Sequence, residues 1–324
     1  MDQRQGRPPT ILDLARVSGL SKSVVSRALN DEPGVSPESR DAVMAAVRET
    51  GYVANAMAQR MRSRSIDTVG VLVRDPASVF YGTLLGELQA AASDRDVRLV
   101  TMTGSGKPDL EEERLALRSL LAMRVDGLLV CSGLLPAGDL YPFAERVPTV
   151  VVGRSEWDTR ISSVCCDDED GARQLVDHVV DAGYDTVIIP VPQASIAPSL
   201  HVRANLFIAR AQVRGIRPIV VATDAPADAA RRVRSHTAGR IAVMAPNDRW
   251  AVAIREQLAD ARDVLVTGYD GVGVYASPLL GLTTLVQPIR DIASGALELV
   301  VDILTSEREA EHVALPGILR APSK

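Results

Sequence analysis

A regular alternation of short apolar runs and amphipathic segments fills most of the chain from residue 68 onward and restricts the fold more than any other feature. Apolar runs of this length suit buried strands, while the longer segments repeat apolar residues at helical spacing. Strands alternating with helices form parallel sheets covered on both faces. The predicted strands are residues 68–73, 98–102, 127–130, 149–152, 186–189, 219–222, 241–244 and 264–267, and the predicted helices are residues 81–95, 110–123, 169–181, 202–213, 227–235 and 248–258.

The alternation restarts at residue 169, so the sequence predicts two Rossmann-like subdomains with a cleft between them. In such sheets, ligands bind beyond the carboxyl ends of the strands. Asp75, Arg154, Asn247 and Asp270 follow predicted strands at this position. We therefore expect a polar binding cleft in this part of the chain.

A different pattern precedes the sheets, in the stretch TILDLARVSGLSKSVVSRALN of residues 10–30. Thr10 is a helix cap, and Asp13 complements both the cap and the positive end of the helix. The small Ala15, the turn-forming Gly19 and the apolar Val25 stand at the positions that a helix-turn-helix constrains most. The stretch therefore predicts two short helices joined by a tight turn.

The second of these helices has a polar outer face. Ser21 caps it, and Lys22, Ser23, Ser26 and Arg27 are hydrogen-bonding residues suited to base edges or phosphates in a major groove. An ordinary αα-hairpin with a polar face is the alternative interpretation. A third helix begins with a Ser-Pro-Glu start at residues 36–38, extends to about residue 49 and ends at Gly51.

The charge is distributed unevenly along the chain. Residues 1–65 contain 10 Lys and Arg against 7 Asp and Glu, whereas the remaining residues contain 26 against 34. A basic first module on an acidic body is expected when the nucleic-acid surface is confined to that module. A difference of this size also arises by chance, so the charge supports the interpretation without proving it.

These features together resemble the LacI family of transcriptional regulators, and the resemblance extends along nearly the whole chain. It implies an all-α helix-turn-helix headpiece (residues 1–53), a hinge helix or linker (54–66) and a periplasmic-binding-protein-like α/β core (67–324) that binds an effector and dimerises. Further landmarks of the resemblance are residues 164–172, Pro246-Asn247-Asp248, Gly268-Tyr269-Asp270, Leu282-Thr283-Thr284, Gln287-Pro288 and Leu315-Pro316.

The resemblance assigns DNA contacts in the headpiece and hinge. The second helix would read the operator with Lys22, Ser23 and Arg27, while Ser26 would contact a phosphate. In the hinge, Ala54 replaces the family's proline and Met61 stands where a leucine would enter the minor groove, although a plain charged linker is the alternative. The full set of expected DNA-binding residues is Thr10, Ser21, Lys22, Ser23, Ser26, Arg27, Asn30, Tyr52, Asn55, Ala58 and Met61.

The resemblance also assigns an effector site in the cleft. Acids, amides and arginines suit a ligand rich in hydroxyl groups, and an aromatic side chain could stack on a sugar ring. Nucleosides and other polar metabolites are alternative effectors. Asp and Asn also cap helices, and we interpret Asp248 as such a cap. The expected effector-binding residues are Asp75, Phe80, Tyr81, Arg154, Asp170, Ser199, Arg203, Asn247, Asp270 and Gln287.

Other classes of protein find less support in the sequence. No phosphate loop, dinucleotide fingerprint, nucleophile elbow or metal-ligand spacing is complete, so we expect neither an enzyme nor a cofactor or metal. The polar start MDQRQGRPP and the absence of a long apolar run predict a cytoplasmic protein, and the three cysteines predict reduced packing residues. We therefore expect a homodimeric repressor that binds a near-palindromic operator. The alternatives are a sugar-binding protein without DNA regulation and an enzyme fused to a DNA-binding head.

Overall fold

A computed structural model of the protein describes residues 9–30, 32–52, 68–236, 239–261, 263–305 and 309–322. The chain divides into two compact units, Met1–Ser65 and Ile66–Lys324. Each unit has a hydrophobic core of its own.

The first unit contains three described helices: α1 (Ile11–Ser18), α2 (Lys22–Leu29) and α3 (Pro37–Thr50). Their apolar faces meet in a small core of Leu14, Val25, Ala28, Val43 and Ala46. Each fully buried Leu or Val side chain contributes about 1.5–3 kcal/mol relative to an exposed one. Packing against this core, rather than helix propensity, therefore stabilises helices of only eight residues.

The caps of these helices are the predicted ones. The main-chain N–H and the hydroxyl of Thr10 both donate to the Asp13 carboxylate, at 2.9 and 2.7 Å. Ser21 Oγ accepts from the main-chain N–H of Val24 at 3.3 Å and begins α2. Gly19 has a φ of +70°, so this turn uses a left-handed conformation that glycine adopts without a steric cost.

The second unit begins with a six-stranded parallel sheet. From one edge to the other, its strands are β11 (His312–Leu315), β5 (Ser162–Cys166), β4 (Thr149–Val152), β3 (Gly127–Cys131), β1 (Thr68–Val73) and β2 (Arg98–Thr103). Four of its strands are buried along their whole length, as expected for a sheet covered on both faces. Its elements are β1 (Thr68–Val73), α4 (Val79–Asp94), β2 (Arg98–Thr103), α5 (Leu110–Ala122), β3 (Gly127–Cys131), α6 (Ala137–Ala144), β4 (Thr149–Val152) and β5 (Ser162–Cys166).

A second six-stranded sheet follows in the order β12-β10-β9-β8-β6-β7, with β12 antiparallel to β10 and the other pairs parallel. Two short 3₁₀ helices, Gly273–Ala276 and Pro278–Leu280, precede β10. The regular elements are α7 (Asp168–Asp181), β6 (Thr186–Val191), α8 (Pro198–Val213), β7 (Ile219–Ala222), α9 (Pro226–Arg234), β8 (Ile241–Met244), α10 (Asp248–Gln257), β9 (Val264–Asp270), β10 (Thr283–Val286), α11 (Ile289–Thr305), β11 (His312–Leu315) and β12 (Ile318–Arg320).

The chain passes between the two sheets three times. It leaves the first sheet after β5, returns through α11, which packs against α4 and strands of the first sheet, and crosses again between β11 and β12. The two Rossmann-like subdomains are therefore interleaved, and three short segments connect them. Such segments can absorb the dihedral changes of a closing motion.

The predicted alternation is confirmed, with some omissions. All eight predicted strands are present, but the apolar pattern does not indicate β5, β10, β11, β12, α6 or α11. The sequence of β5, SSVCC, mixes Ser and Cys with a single Val, and α6 contains Pro142. The secondary structure of β5 and α6 is therefore determined by tertiary contacts rather than by the propensities of their residues.

Candidate functional site

In the first unit, the exposed face of α2 carries several hydrogen-bonding side chains. Lys22 and Ser23 are exposed and Ser26 is half-buried, whereas Val25 and Ala28 on the opposite face are in the core. Ser23 Oγ lies 2.9 Å from the capping Ser21 Oγ. Burial of one face thus fixes which side chains of α2 point toward solvent.

Arg27 is more enclosed by the protein than the exposed Lys22 and Ser23. Its side chain is half-buried, and its Nε atom is inaccessible to solvent without a hydrogen-bond partner among the described residues. A Cβ atom at Gly34 would lie 3.8 Å from its Nη1 atom, so the guanidinium runs beside the turn that precedes α3. A buried donor without a partner is costly, and an acceptor on a bound molecule would remove that cost.

Three other residues expected to contact DNA are engaged inside the first unit. Thr10 donates to Asp13, Asn30 Nδ2 donates to Glu32 Oε1 at 3.5 Å, and Tyr52 packs against the core. Asn55, Ala58 and Met61 lie outside the described residues.

In the second unit, a cleft with about 590 Å³ of empty space, part of it open to solvent, lies between the carboxyl ends of the two sheets. Strands of both sheets and the amino-terminal ends of α4 and α8 supply its walls. We call it the effector cleft, and its lining residues are Arg74, Ser78, Phe80, Tyr81, Gly133, Gly153, Ala197, Ser199, Leu200, Arg203, Asn247, Asp270 and Gln287.

Arg203 is the most constrained side chain of the effector cleft. It is 4% exposed and binds the Asp168 carboxylate through Nε and Nη2, both at 3.0 Å. Its Nη1 atom donates to the carbonyl of Pro246 at 3.0 Å, and its Cζ atom lies 3.7 Å from the centre of the Tyr269 ring. Burial acts to lower the pKa of Arg203, but the Asp168 charge and its other neighbours outweigh burial and raise it. The cation is thus fixed in one position.

Asp270 lies beside Arg203 at the end of β9. Its Oδ1 atom accepts from Gln287 Nε2 at 2.8 Å and lies 3.9 Å from Arg203 Nη1. Burial raises the pKa of Asp270 to about 8, against the opposing effect of the Arg203 charge. Its φ of 129° is unusual for a residue with a side chain, and such strain is concentrated at functional sites.

The adjacent Asn247 and Asp248 differ from the prediction. Asn247 is the cap of α10, because its Oδ1 atom accepts from the N–H of Trp250 at 3.0 Å, and it also lines the effector cleft. Our interpretation of Asp248 as the cap is wrong. Its carboxylate is fully buried and accepts from the Gly271 N–H and the Thr284 hydroxyl, each at 2.6 Å. It therefore ties α10 to β10 and to the residue that follows Asp270 at the end of β9.

Two aromatic side chains line the cleft on the side of the first sheet. Phe80 and Tyr81 stand in an edge-to-face arrangement with their ring centres 5.2 Å apart. The Tyr81 hydroxyl accepts from the Gly133 N–H at 3.1 Å, and burial raises the pKa of Tyr81 to about 12. A Cβ atom at Gly153 would lie 3.1 Å from Phe80 Cζ, so a glycine at this position leaves room for the ring.

Arg74, which the sequence reasoning missed, reaches across the effector cleft. It follows β1 directly, and its Nη2 atom donates to the carbonyl of Ile196 in the other subdomain at 3.0 Å. Its Nε atom lies 3.8 Å from Oε1 of the buried Glu113, whose pKa is raised by burial. Its place after a strand was a signal that the sequence already contained.

Three expected effector-binding residues do not line the effector cleft. Asp75 accepts from the N–H of Ala77 at 3.0 Å. Arg154 donates to the carbonyls of Ser132 and Leu135 and forms an ion pair with Glu156. Asp170 pairs with Arg173 and accepts from Gln174. The other seven, Phe80, Tyr81, Ser199, Arg203, Asn247, Asp270 and Gln287, do line it.

Both units are similar to known protein families. Residues 10–55 match the lacI family of bacterial regulatory proteins, and residues 176–321 match the periplasmic binding protein-like domain. The HTH-type transcriptional regulator GalS of Salmonella typhimurium is 30% identical to this chain over 97% of its length and 96% of the relative's. The chain belongs to the LacI family.

LacI-family membership makes the protein a DNA-binding transcription regulator. The structure of a lac repressor dimer bound to operator and an anti-inducer has the same fold, with a TM-score of 0.82, 22% identity and coverage of 98% of this chain and 99% of that one. A cellobiose complex of the transcriptional regulator CelR has a TM-score of 0.65 and 25% identity, with coverage of 97% and 98%.

Two further properties of the described residues concern metals and membranes. Among the described residues of this LacI-family chain, no group of three or more His, Cys, Asp or Glu side chains could hold a metal ion. None of the described helices combines the length and the apolar character that a membrane span requires.

Proposed function

We propose that this LacI-family protein is a homodimeric repressor whose operator affinity is changed by a small, hydroxyl-rich effector bound in the effector cleft. The observation that carries the effector part is the convergence of Arg203, Asn247, Asp270 and Gln287 on one cavity. These side chains come from four separate segments, and hydrogen bonds hold each of Arg203, Asn247 and Asp270 in place.

The chemistry of these side chains suits hydroxyl groups. Arg203 offers N–H donors, and the amides of Asn247 and Gln287 offer both donors and acceptors. Asp270, with its pKa of about 8, is protonated at neutral pH and can also donate and accept. A sugar hydroxyl needs both kinds of partner, and the Phe80 ring on the opposite wall offers an apolar face. The structure of CelR, which is similar in fold, is that of a complex with cellobiose.

The operator part of the proposal rests on the outer face of α2. Lys22, Ser23 and Arg27 would read base edges, and Ser26 would contact a phosphate. A single helix contacts too few base pairs for useful specificity, so helix-turn-helix proteins bind near-palindromic sites as dimers. The similar lac repressor structure is a dimer on its operator.

Two exposed surfaces of the second unit suit dimerisation. The solvent face of α4 presents Gly82, Gly86 and Ala90, small residues that allow another helix to approach closely. Beside α10, Leu279 is 97% exposed, which is unusual for so large an apolar side chain. We assign the dimer contacts to these two surfaces.

Effector and operator are coupled through the arrangement of the two subdomains. A ligand that prefers one arrangement shifts operator affinity by its differential affinity for the two arrangements and by no more. Couplings of about 1–3 kcal/mol are typical and correspond to roughly 5- to 150-fold changes in affinity.

A thermal-shift screen of monosaccharides, disaccharides and nucleosides tests the effector part. At least one sugar should raise the melting temperature of the wild type, and Asp270→Ala should abolish that response. Asp170→Ala is the matched control, because Asp170 is hydrogen-bonded in the same subdomain but does not line the effector cleft. A response that Asp270→Ala retains in full would place the ligand elsewhere.

A further inference from the structure

Glu113, in the first turn of α5, is a buried acid that the proposed function does not use. Its side chain is 2% exposed. Its Oε2 atom accepts a hydrogen bond from Ser132 Oγ at 2.6 Å, but its Oε1 atom is inaccessible to solvent and has no hydrogen-bond partner among the described residues. A buried carboxylate oxygen without a donor is costly, so Glu113 favours any arrangement of the protein that supplies one.

Arg74 can supply this donor. Its Nε atom lies 3.8 Å from Glu113 Oε1, which is too far for a hydrogen bond. Its Nη2 atom donates instead to the carbonyl of Ile196, at 3.0 Å, in the other subdomain. One guanidinium therefore stands between two acceptors that belong to different subdomains, and it satisfies only the second.

The contact between Arg74 and Ile196 lies on the side of the effector cleft that is far from the connecting segments. These segments join β5, β10, β11 and β12, which lie at one edge of each sheet. Arg74 follows β1 and Ile196 follows β6, and these strands lie beside β2 and β7 at the opposite edges. If the subdomains rotate apart about the connecting segments, the Ile196 carbonyl therefore moves away from Arg74.

The charges around Glu113 make its proton depend on this movement. Burial raises the pKa of Glu113, and the groups that modify this effect face it from five segments: Ser132, Arg74, Arg154, Glu112 and Tyr81. The serine hydroxyl and the two arginines oppose the effect of burial, the neighbouring acid adds to it, and the tyrosine is neutral. A direct hydrogen bond from Arg74 would further favour the ionised form, so closure of the subdomains favours uptake of a proton.

We propose that Glu113 is a positioning residue that competes with the Ile196 carbonyl for Arg74 and thereby sets the balance between closed and open arrangements of the two subdomains. In the closed arrangement, Arg74 donates to Ile196 and Glu113 Oε1 lacks a donor. In the open arrangement, Arg74 turns to Glu113 in a charge-assisted hydrogen bond. The consequence for the effector rests on the proposed function: a ligand held by both subdomains binds the closed arrangement, which Glu113 opposes.

Distances between two spin labels on the full, ligand-free protein test the proposal. The labels are attached to Lys107→Cys and Ala225→Cys, exposed positions that follow the edge strands β2 and β7. The three native cysteines are buried, and an excess of unlabelled protein keeps the measured pairs within one chain. Double electron–electron resonance then gives the populations of short (closed) and long (open) distances.

Glu113→Gln removes the charge and nearly preserves the shape of the side chain. At pH 8 it should lower the ratio of open to closed molecules about 5- to 10-fold, because Arg74 binds a neutral amide oxygen less strongly than a carboxylate. The difference between wild type and variant should shrink as the pH falls to 5, because protonation of Glu113 has the same effect as the substitution. Other titrations, including that of Asp270, are common to both proteins.

Two further variants show whether the effect passes through Arg74. In the Arg74→Met background, Glu113→Gln should leave the distances unchanged. Glu111→Gln is the matched control, because Glu111 is 71% exposed on the same helix and pairs with Arg114 and Arg118. Its distances should match those of the wild type.

Three results would overturn the proposal: equal distances in wild type and Glu113→Gln at pH 8, a difference that persists in full at pH 5, or an equal effect of Glu113→Gln with and without Arg74. The last result would assign Glu113 a general role in packing. Because no ligand is present, each of these results leaves the proposed effector cleft intact. A screen in which no sugar binds would refute the proposed effector without altering the distances.

Discussion

The raised pKa of Asp270 predicts an unusual dependence of stability on pH. The folded protein keeps a proton on Asp270 up to pH 8 or so, whereas the unfolded chain releases it near the ordinary value of 3.8. The stabilising contribution of the protonated group is therefore complete below about pH 4 and is lost as pH rises toward 8. Each pH unit in this window removes about 1.4 kcal/mol, which gives a loss of about 4 kcal/mol between pH 5 and pH 8.

Asp270→Asn removes the titrating group and nearly preserves its shape. Asn cannot ionise, and its oxygen can still accept the hydrogen bond that Gln287 Nε2 donates to Asp270. We expect the stability of the variant relative to the wild type to increase by about 3–4 kcal/mol between pH 5 and pH 8.

Urea unfolding at pH 5, 6, 7 and 8, followed by tryptophan fluorescence, measures this difference. Both tryptophans, Trp157 and Trp250, belong to the second unit, so the signal reports its unfolding. Histidine titrations are common to both proteins and cancel in the difference. Asp170→Asn is the control: hydrogen bonds from Arg173 and Gln174 lower the pKa of Asp170, so its effect should be the same at every pH from 5 to 8. Parallel profiles for the wild type and Asp270→Asn would refute the reasoning, because Arg203 would then keep Asp270 ionised.

Three further predictions follow from the described contacts. Arg27→Ala should weaken operator binding by about 1–3 kcal/mol and change the order of affinities for operator variants in a gel-shift assay. Arg48→Ala, on the exposed surface of α3, is the control and should change neither the affinity nor that order. An unchanged ranking would exclude Arg27 as a base reader. Val25→Ala should lower the unfolding free energy of the first unit by about 1–3 kcal/mol in circular dichroism melts, because its side chain is fully buried, and a smaller loss would contradict its place in the core. Arg74→Met removes the hydrogen bond to the Ile196 carbonyl across the effector cleft and should weaken effector binding about 5- to 10-fold by calorimetry. An unaltered affinity would show that this contact does not help to close the effector cleft.

The sequence predicts the strands well for a physical reason. Strands buried on both faces, such as β1 and β8, are continuous apolar runs, and their bounds agree with the prediction to the residue. The pattern does not reveal β5, because Ser and Cys interrupt its apolar run. Ser162 and Ser163 are buried there because their hydroxyls find hydrogen-bond partners on Glu311 and His312. In such segments the tertiary contacts determine whether a strand forms.

The site was predictable in position but not in detail. Arg203, Asn247 and Asp270 line the effector cleft because parallel strands and crossover helices bring their ends to one edge. Asp248 illustrates the limit of such reasoning. Either of two adjacent polar residues can cap a helix, and only the packed fold places Asp248 between Gly271 and Thr284. Asp170, likewise, finds partners on its own helix that the sequence does not reveal.

The central claim is that one ligand in the effector cleft controls operator affinity, and fluorescence anisotropy of a labelled operator tests it most directly. The operator is titrated with wild type, Asp270→Ala and Asp170→Ala, each with and without a sugar that stabilises the wild type in the thermal-shift screen. We predict that the sugar changes the operator dissociation constant roughly 5- to 150-fold for the wild type and Asp170→Ala, and leaves it unchanged for Asp270→Ala. A wild-type operator affinity that stays constant while the cleft is saturated with the sugar would contradict the claim.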